Sequence, residues 1–152
     1  HDIPVMYDLG SGSLIDSTGT AQEIISVQDC IKAGTDIITF STDKLLGGPQ
    51  GGIIAGKKKY IDKVRVHPLA RALRLDKMTL AALEATLRLY LSDRSDEIPV
   101  NQLMQRDTEK LKKYAEDLLE RIQSSSSKTA TFKIIDTKSA IGGGALPLRS
   151  RA

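Results

Sequence analysis

Phe40-Ser41-Thr42-Asp43-Lys44-Leu45-Leu46-Gly47-Gly48-Pro49-Gln50-Gly51-Gly52 is the stretch on which the fold turns. The preceding run, residues 36–40, is β-prone. It stops at Ser41, Thr42 and Asp43, whose short side chains bond to nearby backbone and favour turns. One lysine follows at the strand's end, and residues 47–52 then hold four glycines and one proline. Glycine allows positive φ and close backbone approach, while Pro49 fixes its own φ and pushes Gly48 towards extended geometry. A stiff turn of this kind displays Lys44 at a fixed place beyond the strand. Such a lysine is either a solvated turn residue or a group presented for chemistry, and the stretch alone leaves both open.

Upstream, residues 3–7 form a short apolar run that ends at Asp8 and empties into the Gly/Ser loop 9–13. That layout belongs to parallel α/β sheets, whose ligands sit beyond the carboxyl ends of the strands. Asp8 is thus either a turn-capping aspartate or a carboxylate that meets a ligand. Residues 26–33 read as a short helix with Val27, Cys30 and Ile31 on one face and Gly34 as its stop. Strand, helix and strand make a βαβ unit, so the two strands are expected to be parallel and to end on the same side. Asp8 and Lys44, 36 positions apart, would then face one crevice.

Downstream, residues 51–56 read as a second short strand and residues 57–64 as a helix with Tyr60, Ile61 and Val64 inward. Lys57, Lys58 and Lys59 read as a solvated face, since no aromatic residues interleave them as nucleic-acid stacking requires. Gly51 to Lys57 matches the spacing of a nucleotide phosphate loop, but Lys58 stands where Ser or Thr must hold magnesium, and Ile53 and Ile54 make the supposed loop a strand. Arg71 and Arg74 lie at i and i+3. On a helix they share a face and form either an ion-paired surface or a two-pronged anion site.

Residues 76–91 carry a helical stripe of Leu80, Leu83, Leu87 and Tyr90 or Leu91. The polar, proline-terminated stretch 92–99 reads as a linker, giving expected domains of 1–91 and 92–152. A second amphipathic helix is expected over 107–123, capped by Asp107, then a β-branched strand over 129–135 leading to a glycine-rich turn at 142–144.

The 152 residues suit one domain, or part of a larger protein. With 4% aromatic residues and no Trp, the core must be aliphatic. A net charge of +3 is compatible with a nucleic-acid partner without arguing for one. One cysteine, Cys30, and two histidines, His1 and His67, argue against an intrachain disulfide and against thiolate or histidine metal sites. No apolar run approaches the ~20 residues of a membrane helix and no signal peptide is visible, so a cytoplasmic location is expected. Starting at His1 and stopping after a glycine-rich turn, the chain reads as a piece of a longer protein.

Five stretches together resemble the bacterial selenocysteine synthases, the L-seryl-tRNA(Sec) selenium transferases. They are residues 8–14, 41–50, 67–74, 76–84 and 142–147, and the most specific is Lys44-Leu45-Leu46-Gly47-Gly48-Pro49-Gln50. The resemblance implies an α/β fold: the C-terminal part of the large domain of a fold-type-I pyridoxal-phosphate transferase (the aspartate-aminotransferase group), mainly parallel sheet with helices, and then the start of a small α+β domain. It implies that Lys44 carries pyridoxal 5'-phosphate as a Schiff base and that Asp8 pairs with the pyridine nitrogen. Ser41 would contact the cofactor phosphate, and Arg71 and Arg74 would bind the selenophosphate oxyanion.

The implied reaction turns seryl-tRNA(Sec) into selenocysteinyl-tRNA(Sec) through an aminoacrylate, in a homo-oligomer built as a ring of dimers. The family's tRNA-binding N-terminal part and the first half of its cofactor domain are not in this sequence, so the chain alone is expected to be inactive. Two other functions fit the residues less fully: a related pyridoxal-phosphate lyase or ammonia-lyase acting on a small amino acid, and a cofactor-free RNA-binding module using Arg71, Arg74 and the lysines 57–59.

Overall fold

The computed structural model describes residues 3–15, 24–125, 130–137, 139–140 and 150–151. The chain divides into two compact units, His1–Asn101 and Gln102–Ala152.

The first unit is α/β. Strand β1 (Met6–Gly10) pairs in parallel with β2 (Ile37–Ser41), and helix α1 (Val27–Lys32) lies between them in sequence. Ser26 caps α1 through a capping box with Asp29, in which each side chain takes the other's backbone N–H. The expected βαβ unit is therefore present. Strand β3 (Gly52–Gly56) runs antiparallel to β2, and the sheet order is β1-β2-β3. Among the described strands of this unit the sheet is thus mixed, where the family resemblance implied mainly parallel. Residues 42–51 turn the chain straight back without the crossover helix that a parallel neighbour requires.

Alternation along β2 sorts its side chains between two faces. Ile38 and Phe40 are buried with Val27 and Cys30 of α1, and Leu9, Leu14, Ile53 and Ala55 pack against them. This cluster, aliphatic apart from Phe40 and Cys30, packs on one face of the sheet and leaves Thr39 and Ser41 on the opposite face. Burial holds the Cys30 thiol above its usual pKa.

Asp36 ties the entrances of the strands together. Its Oδ2 accepts from the Val5 amide at 2.8 Å and its Oδ1 pairs with Lys57 Nζ at 2.7 Å. Its carbonyl accepts from the Lys57 amide at 2.9 Å.

Helix α2 (Lys58–Val66) follows, then the short α3 (Pro68–Ala72), which has Pro68 in its first turn and is capped by His67 Nδ1 on the Leu69 amide. Helix α4 (Lys77–Leu91) is capped by Asp76, which accepts from the amides of Met78 and Thr79. Of its expected stripe Leu83 is buried and Leu87 and Tyr90 are half-buried, but Leu80 and Leu91 are exposed. The inward face instead runs Leu83, Thr86 and Leu87, Tyr90.

The stretch expected to be a linker lies inside the first unit. A 3-10 turn (Ser95–Glu97) leads to α5 (Pro99–Met104), and Ile98 and Asn101 are buried. A single apolar residue at the end of a polar run is enough to anchor it.

In the second unit α6 (Thr108–Ser125) starts where expected, with Asp107 Oδ1 accepting from the Glu109 amide at 3.1 Å. Of the strand expected over 129–135, the described residues 130–135 form no regular element, and Phe132, Ile134 and Ile135 are exposed. β-branched composition favours a pleated, half-buried surface but supplies no partner. Strands β4 (Ser139–Ala140) and β5 (Ser150–Arg151) pair antiparallel. The expected turn at 142–144 lies outside the described residues. No helix among those described is long and apolar enough to cross a membrane.

The hydrogen bond and charge from Lys57, with the bond from the Val5 amide, hold the Asp36 carboxyl below the usual carboxylate range. A folded pKa below the unfolded value, about 3.9, gives stability that is complete above that value and is lost as pH falls through the folded pKa. Urea denaturation of Asp36→Asn across this acid range is therefore expected to show a shallower loss of stability than the parent. An unchanged acid limb would remove Asp36 as a source of the pH dependence.

Candidate functional site

The parallel register sets Asp8 opposite Thr39, and Thr39 Oγ1 donates to Asp8 Oδ1 at 2.9 Å. Both residues lie on the sheet face that α1 does not cover, and Ser41, two residues beyond Thr39, shares that face. Asp8 is exposed, whereas Ser41 and Lys44 are half-buried. Both strands run out at the same edge, so the loop carrying Lys44 leaves the sheet beside the loop that follows β1. The two loops are bonded directly, the Leu45 amide donating to the Ser11 carbonyl at 3.1 Å.

Gly12 makes this approach possible. It sits at φ +71°, and a Cβ there would lie 2.5 Å from the Ser41 carbonyl oxygen and 2.9 Å from Phe40 Cδ2.

The Lys44 loop is closed by its own backbone. The Thr42 amide donates to the Gly51 carbonyl at 3.0 Å, the Gly48 amide to the Thr42 carbonyl at 2.8 Å and the Gly47 amide to the Lys44 carbonyl at 3.0 Å. Thr42, fully buried, donates its hydroxyl to the Pro49 carbonyl. Gly47, at φ +73°, is hemmed in from outside: a Cβ would come within 2.5 Å of Ile98 Cγ2 and 2.6 Å of Val100 Cγ1. Helix α4 supports the same turn from below. Leu83 and Thr86 face Gly48, and the Tyr90 hydroxyl donates to the Leu46 carbonyl at 2.9 Å. Asn101 Nδ2 in turn donates to the Tyr90 oxygen at 3.2 Å and to the Ser95 carbonyl at 2.8 Å. Burial raises the Tyr90 pKa, against a smaller opposing effect of the Asn101 bond, so the phenol stays a donor through neutral pH.

The structure treats the predicted site residues unequally. It brings Asp8, Ser41 and the loop of Lys44 to one edge. Arg71 lies on α3, but Arg74 falls beyond the helix's C-cap, Leu73. The shared helical face expected for the two arginines does not form, because α3 stops after Ala72. Both are exposed, and neither makes an ion pair among the described residues. Of the lysines 57–59, Lys57 pairs with Asp36 and Lys58 with Asp62, which supports the solvated-face reading over a nucleic-acid patch. No group of His, Cys, Asp and Glu among the described residues suits a metal ion.

Thr39, Tyr90, Asn101 and Ser11 were not singled out by sequence reasoning. Only the strand register exposes Thr39, and Tyr90 counted as one more apolar position of a helical stripe.

The family model described as L-seryl-tRNA selenium transferase matches residues 1–151. An L-seryl-tRNA(Sec) selenium transferase of Carboxydothermus hydrogenoformans is 51% identical over 148 residues, which are 95% of this chain and 31% of that relative. Proteins of the same name from Maridesulfovibrio salexigens and Geotalea uraniireducens are 47% and 46% identical, over 97% of this chain and 32% and 33% of their own lengths. The chain thus spans about a third of the curated relatives it matches.

The confinement of Gly47 leads to a comparison of two glycines. Gly10 also has positive φ, +68°, but open space where a Cβ would go. Gly10→Ala is expected to cost about 1 kcal/mol, the backbone penalty alone. Gly47→Ala should cost about 2–4 kcal/mol, since overpacking adds to that penalty. Equal losses in denaturant midpoint would show that Ile98 and Val100 yield freely.

Proposed function

The chain belongs to the L-seryl-tRNA selenium transferase family, and on that premise we propose that it supplies the lysine-bearing part of an enzyme converting seryl-tRNA(Sec) to selenocysteinyl-tRNA(Sec) with selenophosphate and pyridoxal 5'-phosphate. The observation that carries this function is the convergence of Asp8 and the Lys44 loop at one sheet edge. The donor set suits the cofactor: a half-buried primary amine for an aldehyde, and a carboxylate for a pyridinium nitrogen.

When bound, pyridoxal phosphate draws electrons from Cα of an attached seryl group, so that its proton and the β-hydroxyl can leave. Lys44 Nζ would hold the cofactor aldehyde, and as a free amine it would take the Cα proton. Asp8 keeps a proton on the ring nitrogen, and Thr39 fixes the turn of its carboxylate through the 2.9 Å bond. Ser41, on the same face, donates to the cofactor phosphate. Arg71 and Arg74 bind the selenophosphate oxyanion as two separate charges.

In this proposal the sequence boundary of 91/92 moves to 101/102: residues 1–101 belong to the large domain of a fold-type-I enzyme and those that follow begin its small domain. The complete protein is a cytoplasmic homo-oligomer, a ring of dimers.

In the complete protein, Lys44→Ala is expected to lower selenocysteinyl-tRNA formation by about 10²-fold or more and to abolish the borohydride-reduced product at this position. Normal turnover in that variant would refute the assignment. Arg71→Ala loses charge-assisted hydrogen bonds of about 1.5–3 kcal/mol. The selenophosphate concentration for half-maximal rate should therefore rise about 10–100-fold, and no change would remove Arg71 from the anion site.

A further inference from the structure

The peptide joining Leu46 to Gly47 is a rigid plane tied at both ends. Its carbonyl accepts from the Tyr90 hydroxyl at 2.9 Å, and its N–H donates to the Lys44 carbonyl at 3.0 Å. Partial double-bond character keeps these two groups coplanar and opposed, so a tilt forced on one end is passed to the other. Tyr90 therefore acts on the backbone of Lys44 through a single stiff unit.

The hydroxyl is itself oriented. Asn101, 4% exposed, donates to it and to the Ser95 carbonyl, which leaves the phenol proton for Leu46. The carbonyl of Leu45 lies 3.5 Å from the same oxygen. Leu46 is fully buried, so without the hydroxyl its carbonyl would be left desolvated, and the peptide would gain by rotating towards another donor. Rotation would break the bond that sets the direction of the Lys44 main chain.

We propose that Tyr90, held by Asn101, is a positioning residue for Lys44: it locks the 46–47 peptide, and through it the direction in which the Lys44 amine is presented. This rests on the assignment of Lys44 as the cofactor lysine, yet it predicts something separate, a change at Lys44 when a hydroxyl on another helix is removed.

The test uses the complete protein and Tyr90→Phe, which keeps the ring. Pyridoxal phosphate is added to cofactor-free protein well below its unfolding temperature, and the borohydride-reduced product at Lys44 is followed in time by mass spectrometry. Positioning predicts formation about 10-fold slower in the variant while near-UV circular dichroism stays native. A purely structural Tyr90 predicts a lower unfolding midpoint with the parent's rate at Lys44, and that result overturns the proposal.

If Tyr90→Phe does not fold, Asn101→Ala takes its place. It leaves the phenol but frees its proton, and a severalfold slowing supports the proposal where the parent's rate defeats it. Acetic anhydride labelling of Lys44 relative to exposed Lys77 gives a second readout without cofactor. If the parent forms no product with pyridoxal phosphate, the cofactor assignment fails. Labelling still decides the positioning claim: a ratio changed severalfold in the variant upholds it, and an unchanged ratio overturns it.

Discussion

The parallel pairing of β1 with β2 is the constraint on which the rest of the chain depends. Parallel neighbours end at the same edge, so the residues following each strand must meet there however far apart they stand in sequence. Asp8 faces Thr39 only because of this register, and the two loops touch only because both strands run out together. The bond from Leu45 to Ser11 carries the pairing past the last strand residues. Helix α1 covers one face with Val27 and Cys30 and so decides which face remains for Asp8, Thr39 and Ser41.

Much of this was legible in the sequence because it rests on local signals. The Gly/Ser loop after an apolar run, the short helix stopped by Gly34 and the strand ending at Ser41 together specify the βαβ unit. Handedness and crossover length then leave few arrangements open. Asp107 announces its helix as a capping residue, and it accepts the Glu109 amide in the structure. The meeting of the loops that follow β1 and β2 comes from those elements without knowledge of any side-chain contact.

What stayed illegible depends on contacts between distant residues. The antiparallel course of β3 follows from how residues 42–51 fold on themselves, and glycine and proline permit that turn without dictating its direction. Arg71 and Arg74 fit one helical face on spacing alone, yet α3 ends between them. Residues 92–99 look like a solvated connection until Ile98 and Asn101 are seen to be buried. Residues 130–135 have strand composition without a partner among the described residues. Tyr90 matches the periodicity of Leu83 and Leu87, and only its hydroxyl, which a hydropathy pattern ignores, sets it apart.

The glycines around Lys44 show why composition misleads about stiffness. Each glycine frees backbone in the unfolded chain and raises the entropy lost on folding, so a loop with four of them ought to be loose. Here they have the opposite effect. A side chain at 47 or 12 would strike Ile98 and Val100, or the end of β2, so their absence lets neighbouring elements close on the loop until little backbone freedom is left. Thr42, Tyr90 and Ser11 then fasten it with hydrogen bonds from three directions. Backbone disorder is removed before any ligand arrives, and only the side-chain torsions of Lys44 remain to be set. In the role proposed for Lys44, an amine that must meet one carbon atom in one orientation would gain from that preorganisation. The same packing explains why the loop's supports come from α4 and residues 95–101, elements with no part in the sheet.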